Sequence, residues 1–142
     1  MKTDAKPESA RCRMLARSVL LEGESVDRFC ELLASLHADF QPSSGIESSL
    51  VESMAVARWR QLRVWAIEKS GIDFEMERQG HESDGDPATH AAIAFRTLSE
   101  KSRLLDLLNR YEAQCSREYH RSLKALMDLS KRSHRDYDPY VD

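Results

Sequence analysis

From Ala88 to Arg132 the chain contains neither proline nor glycine. Proline removes an amide donor and clashes with the preceding turn, and glycine loosens a helix through backbone entropy. A long stretch free of both therefore favours continuous helix. At 1.5 Å per residue it would extend roughly 65 Å as one rod, or form two helices broken near Ser99. Within it Leu105, Leu108, Glu112, Cys115, Tyr119, Ser122, Leu126 and Leu129 alternate in steps of three and four. This is a seven-residue seam of the kind along which helices pack, diluted by Glu112 and Ser122. A helix of this length needs a neighbour to cover that seam.

The same stretch carries Arg96, Arg103, Arg110, Arg117, Lys124 and Lys131, one basic residue in every seven. Such a stripe, about 50 Å long by the helical rise, has two readings. It could follow a phosphate backbone through Arg103, Arg110, Arg117, Arg121 and Lys124, helped by the basic leader Arg11, Arg13 and Arg17, with an affinity that falls as salt rises. Alternatively it is a solvated face compensated on its own helix, because Asp106 precedes Arg110 by four residues, Glu118 precedes Arg121 by three and Asp128 precedes Lys131 by three. We favour the second.

Charge is unevenly spread. Residues 1–95 hold eleven Lys or Arg against sixteen Asp or Glu, whereas residues 96–135 hold ten against five, and Asp136, Asp138 and Asp142 close the chain. The formal net charge of −3 does not demand an anionic partner. The acidic segment Asp73, Glu75, Glu77, Glu82, Asp84 and Asp86 could instead face the basic helix of a second copy.

Upstream, "VARWRQLRVWAIEK", Val56 to Lys69, sets two tryptophans among three arginines. On a helical wheel Val51, Met54, Ala55, Trp59, Leu62, Trp65 and Ala66 fall in one arc together with Arg58, while Arg60 and Arg63 point elsewhere. A base-stacking platform would put the indoles on the arginine face. Their company with Met54 and Leu62 favours a packed core, with Arg58 reaching the rim or pairing with a carboxylate. Ser43 or Ser44 caps this helix near Ile46, and Ile72 and Met76 carry its pattern past Gly71 to about Gln79.

A shorter helix is expected from Ser25, whose hydroxyl can accept from a first-turn amide. Val26, Phe29, Leu33, Leu36 and Phe40 form its apolar stripe, and Gln41-Pro42 ends it. Asp86-Pro87, an acceptor followed by proline, is a third helix start.

Three cysteines, Cys12, Cys30 and Cys115, lack any CxxC spacing, so the pattern indicates neither a disulfide framework nor a zinc site and suits a reducing cytoplasm. Cys30 and Cys115 read as small hydrophobes on or beside apolar seams. His81 and His90 flank an acidic loop without the three- or four-residue spacing of helical metal ligands. His37 and His120 have no diagnostic carboxylate frame. Nucleotide-loop, zinc-protease and serine-hydrolase motifs are absent, and no apolar run has the length of a signal peptide or a membrane span.

The segments "MLARSVLLEGES", "LVESMAVARWRQLRVWAIEK" and "RLLDLLNRYEAQCSREYHRSLKAL" resemble a loose group of short, uncharacterised bacterial helical proteins. In that group a leader ending in Gly-Glu precedes an amphipathic helix, a Trp-Arg helix and a late Arg-Tyr-Glu helix. Gly23-Glu24, Trp59-Arg60 and Arg110-Tyr111-Glu112 are the matching residues. The usual Lys-His-Gly before the leader is replaced by Arg11-Cys12-Arg13-Met14. The resemblance implies a helical architecture and brings no activity with it.

These observations give the following expectations. The fold is all-α, a short helix packed on an antiparallel hairpin of long helices in a coiled-coil-like bundle, with a flexible basic leader over 1–24, a helical domain over 25–132 and an acidic tail over 133–142. The function is that of a non-catalytic assembly or adaptor protein that self-associates or meets a protein partner, with nucleic-acid association through the basic stripe as the alternative. No cofactor, metal, small-molecule substrate or membrane partner is expected, and the location is cytoplasmic.

Overall fold

The computed structural model of the protein describes residues 7–80 and 85–135. The acidic loop at 81–84, with His81, and the acidic tail from 136 onward lie outside the described residues. The chain is all-α: α1 (Pro7–Val19), α2 (Val26–Phe40), α3 (Gly45–Gln79), α4 (Pro87–Lys101) and α5 (Leu104–Arg135).

Side-chain caps define several helix starts. Ser25 Oγ accepts from the Arg28 amide at 3.2 Å, opening α2. Gln41 closes that helix in a left-handed conformation, φ 42°, with its amide donating to the His37 carbonyl. Ahead of α3, Ser44 Oγ accepts from the Glu47 amide at 3.2 Å and Glu47 Oε2 accepts from the Ser43 amide at 2.6 Å, a reciprocal capping box. Those bonds, the Ser43 amide foremost, hold the Glu47 carboxyl below its ordinary range. Asp86 Oδ1 accepts from the Thr89 amide at 2.8 Å and Pro87 occupies the first turn of α4. The proline-free stretch is two helices, because Ser102 adopts extended backbone between α4 and α5. The break falls three residues after the expected one.

The chain divides into two compact units: Met1–Trp59 with Glu118–Asp142, and Arg60–Arg117. In the first, Phe29, Leu33 and Leu36 of α2 pack with Val51, Met54 and Ala55 of α3 and Leu126 of α5. Phe29, Val51 and Met54 are fully enclosed, each worth about 1.5–3 kcal/mol relative to exposure. Trp59 stands edge-on to Phe29, with ring centroids 5.6 Å apart. Its Nε1 donates to Glu24 Oε2 at 3.0 Å. The same carboxylate oxygen accepts from the Leu21 amide at 2.9 Å, so the connection between α1 and α2 is pinned beneath the indole.

Residues 7–19 correct the expectation of a non-helical leader. The reason is tertiary: Ala16 is fully buried, Cys12 is 5% exposed, and Leu15 and Val19 pack against the cluster around Phe29 and Leu33. A helix of thirteen residues is marginal in water by itself. Docking supplies what its sequence lacks. Cys12 and Cys30 are joined by a disulfide with their Cα atoms 5.9 Å apart, which overturns the reading of them as unlinked cysteines. Their separation of 18 residues is an unremarkable spacing until α1 folds back onto α2.

Trp59→Ala is expected to destabilise the first unit by about 3–5 kcal/mol, the range for truncating a packed aromatic. Trp59→Phe retains most of the packing and loses the Glu24 bond, at a cost nearer 1 kcal/mol. Urea unfolding followed by far-UV circular dichroism measures both, and equal losses for the two variants would show that the indole bond, not the packing, carries the effect.

Candidate interaction surface

The second unit, Arg60–Arg117, is built from the later part of α3, all of α4 and the first part of α5. Trp65 Nε1 donates to Glu112 Oε1 at 2.6 Å, and a Cβ added at Gly71 would lie 3.3 Å from Leu104 Cδ2. As the position on α3 advances from 65 to 71 its neighbour on α5 retreats from 112 to 104, so within this unit the two helices run antiparallel. Gly71 is where the Leu104 side chain approaches the α3 backbone. A side chain there would force Leu104 to give way.

The seam on α5 is as the sequence indicated: Leu108, Cys115 and Leu126 are buried and Leu105, Glu112, Tyr119, Ser122 and Leu129 are half-buried. The seam on α3 is not. Val51, Met54 and Ala55 are buried and Trp59 half-buried, but Leu62, Trp65 and Ala66 are exposed. Beyond Trp59 the inward positions are Gln61, Val64, Glu68, Gly71 and Glu75, all buried or half-buried. They continue the seven-residue spacing of Met54 and Ala57, so the helix keeps the register that meets α5 even where polar residues occupy it. Apolarity therefore points to the wrong face at Leu62, Trp65 and Ala66, whereas Ile72 and Met76 are half-buried, in keeping with the pattern expected past Gly71.

Glu75 is only 5% exposed. Its carboxylate accepts from Arg78 Nε and Nη2, both at 3.0 Å, and from Gln79 Nε2 at 3.3 Å. The Arg78 hydrogen bond first, and the charges of Arg78 and Lys101 after it, hold this carboxyl low and raise Arg78 in return. A buried acid so paired is tolerated rather than strongly stabilising.

What the seam encloses is modest: Val64, Ala94, Leu108 and Cys115 are the buried apolar residues of this unit. Larger side chains are left outside. Ile67 is 42% exposed, Phe74 66%, Leu107 47% and Tyr111 58%. Helical geometry groups these four. Ile67 and Phe74 are seven apart on α3, Leu107 and Tyr111 four apart on α5, and each pair shares an edge of its helix. Trp65 and Glu112 meet across one side of the hairpin. At 3.6 residues per turn Ile67 points about 160° from Trp65 and Leu107 about 140° from Glu112, which turns them to the opposite side together.

Of the sequence-selected basic residues, Arg103, Arg110 and Arg117 are exposed on this unit, and Arg121 and Lys124 are exposed on the first. Arg96 is exposed on α4, where it pairs with Glu100 at 3.9 Å. Among the described residues no ion pair joins Asp106 to Arg110 or Asp128 to Lys131, so the proposed same-helix compensation is not formed at those positions. Arg58 is half-buried and has an interaction partner. No cluster of three or more metal-ligating side chains occurs among the described residues, and no helix among them is long and apolar enough to cross a membrane.

No protein-family model matches the chain, nor does any curated protein or solved structure.

The sign of the Glu75 linkage gives a pH dependence. A carboxyl held below its ordinary value of 4.5 contributes stability above that value and loses it as pH falls through the lowered folded value. Thermal midpoints measured at successive pH values below 4.5 should therefore fall more steeply for the native protein than for Glu75→Gln. Parallel profiles would mean that Glu75 is not linked to folding.

Proposed function

We propose that the protein is a non-catalytic helical assembly factor of the cytoplasm that acts through helix–helix contacts, with a second copy of itself as the partner. The observation that carries this reading is the side of the second unit bearing Ile67, Phe74, Leu107 and Tyr111. An antiparallel helix pair can bury one seam of each helix, and the large side chains beside that seam stay in water unless another layer covers them. Two copies meeting through this side would set the α3–α5 pair of one against that of the other in an isologous contact, each copy offering the same patch.

Magnitudes bear on how tight such a pairing is. At the exposures given above, these four side chains present about 400 Å² per copy, the size of the largest apolar patch on a typical monomer, which is often functional. Two copies would cover about 800 Å² from these residues, below the roughly 1,200–2,000 Å² of a specific stable interface. Flanking positions such as Ser70 and Gln114 would have to contribute the remainder. A concentration-dependent dimer is the expected form, not an obligate one.

A second reading is supported by Arg103, Arg110 and Arg117, which recur every seven residues and are exposed. Such a row could meet the phosphates of a nucleic acid, with binding that weakens steeply as salt rises.

Light scattering across a concentration series tests the first reading. The native protein should move from monomer towards dimer mass, and Ile67→Glu with Phe74→Glu should remain monomeric with its helicity intact, since both positions are exposed. A native protein that stays monomeric at every concentration would refute it. Duplex binding at low and moderate salt tests the second, with Arg110→Glu, Arg117→Glu expected to abolish any salt-sensitive affinity.

A further inference from the structure

We infer that the Cys12–Cys30 disulfide is a reversible clamp whose redox state decides whether α1 is docked on the first unit. This rests on the first unit alone and is independent of the assembly reading.

Besides the disulfide, α1 is held by modest packing. Its fully buried side chains are small, Ala16 and Cys12, Leu15 and Val19 are half-buried against the cluster, and Met14 is 70% exposed. Its two ion pairs differ: Arg11 Nε meets Glu52 Oε1 at 2.6 Å, with side chains 57% and 18% exposed, whereas Arg13 Nη2 and Asp27 Oδ1 lie 3.6 Å apart with side chains 60% and 81% exposed. The second pair is hydrated and holds little, and a helix of this length does not persist unsupported. The cross-link adds what these contacts lack, because it keeps α1 beside α2 at every fluctuation.

The linker is built for release. Gly23 takes a positive φ of 85°, a conformation that glycine adopts without strain. Glu24 stays bonded to Trp59 Nε1 and to the Leu21 amide, so the anchor lies at the α2 end of the connection and outside α1. Freed α1 would thus leave while Phe29 and Trp59 stay engaged.

A reductant has access. Cys30 is half-buried, whereas Cys12 is buried. A concavity of about 510 Å³ lined by Arg11, Cys12, Leu33, His37 and Glu52, among others, borders Cys12, the sulfur that departs when Cys30 is attacked. The reaction partner is a dithiol. One of its thiolates attacks the Cys30 sulfur, forming a mixed disulfide and expelling the Cys12 thiolate, which takes up a proton. Its second thiol then attacks the mixed disulfide and departs as the oxidised dithiol, leaving Cys30 as a thiol. The protein gains two electrons and two protons, and the dithiol loses the same. In a reducing compartment a disulfide of this sort is transient and serves as a sensor.

Hydrogen–deuterium exchange on the full chain, oxidised and then treated with dithiothreitol, tests the clamp. Alkylation in denaturant followed by intact mass should count one thiol before treatment, Cys115, and three after. On reduction the amides of residues 7–19 should exchange at least about tenfold faster, while those of α2 and of residues 45–59 change much less. Reoxidation should restore protection. The Cys12→Ala, Cys30→Ala variant should resemble the reduced native protein with or without dithiothreitol; if that variant does not fold, reduction of the native chain decides the question. Three thiols in the air-oxidised protein, unchanged protection of α1 on reduction, or loss of protection throughout the first unit would each overturn the proposal.

Discussion

Phe29 has no contact with water, and the first unit is arranged around that fact. Its ring receives the edge of Trp59 from α3 and lies in one cluster with Ala16 of α1 and Leu126 of α5. Four helices thus contribute to the one cluster that encloses Phe29. The indole that packs against it is itself oriented by Glu24, a residue of the α1–α2 connection. An indole N–H finds an acceptor where it is partly withdrawn from water, and Glu24 supplies it, so the carboxylate and the ring are placed together. The course of the connection between α1 and α2 follows from satisfying it.

The second unit obeys the same packing rule under a different constraint. Its α3 segment carries half-buried Gln61 and Glu68 and buried Glu75 on the inward row at seven-residue intervals, with buried Val64 between them and Gly71 where the Leu104 side chain approaches the backbone. Glu75 carries its own counter-charge in Arg78. Polar residues inside leave apolar ones outside, and the second unit accordingly exposes Phe74 and Tyr111 to solvent. Such an inverted distribution wastes apolar surface in an isolated molecule and becomes useful once another helical layer covers it.

Two sequence features carried over unchanged into the structure. Positions three and four apart on α5 became its inner seam, including Glu112 and Ser122, because a helix has a fixed period and any residue on the inward row is carried inward. The caps at Ser25, Ser44 and Asp86 were legible for a similar reason, since a short polar side chain next to unpaired amides bonds to them whatever surrounds it. Trp65 marks the point where apolarity misled. Its ring lies at the rim and bonds to Glu112, a residue 47 positions away that no local pattern connects with it.

Helical class, helix starts and most inward rows were determined by the sequence itself, because each depends on interactions within a few residues of chain. The helicity of residues 7–19, the meeting of Cys12 with Cys30, the face of α3 that turns inward after Trp59 and the shared apolar side of Ile67, Phe74, Leu107 and Tyr111 were decided only by tertiary structure. Each of these depends on which distant segment lies alongside, and it is the pairing of helices that brings such segments together.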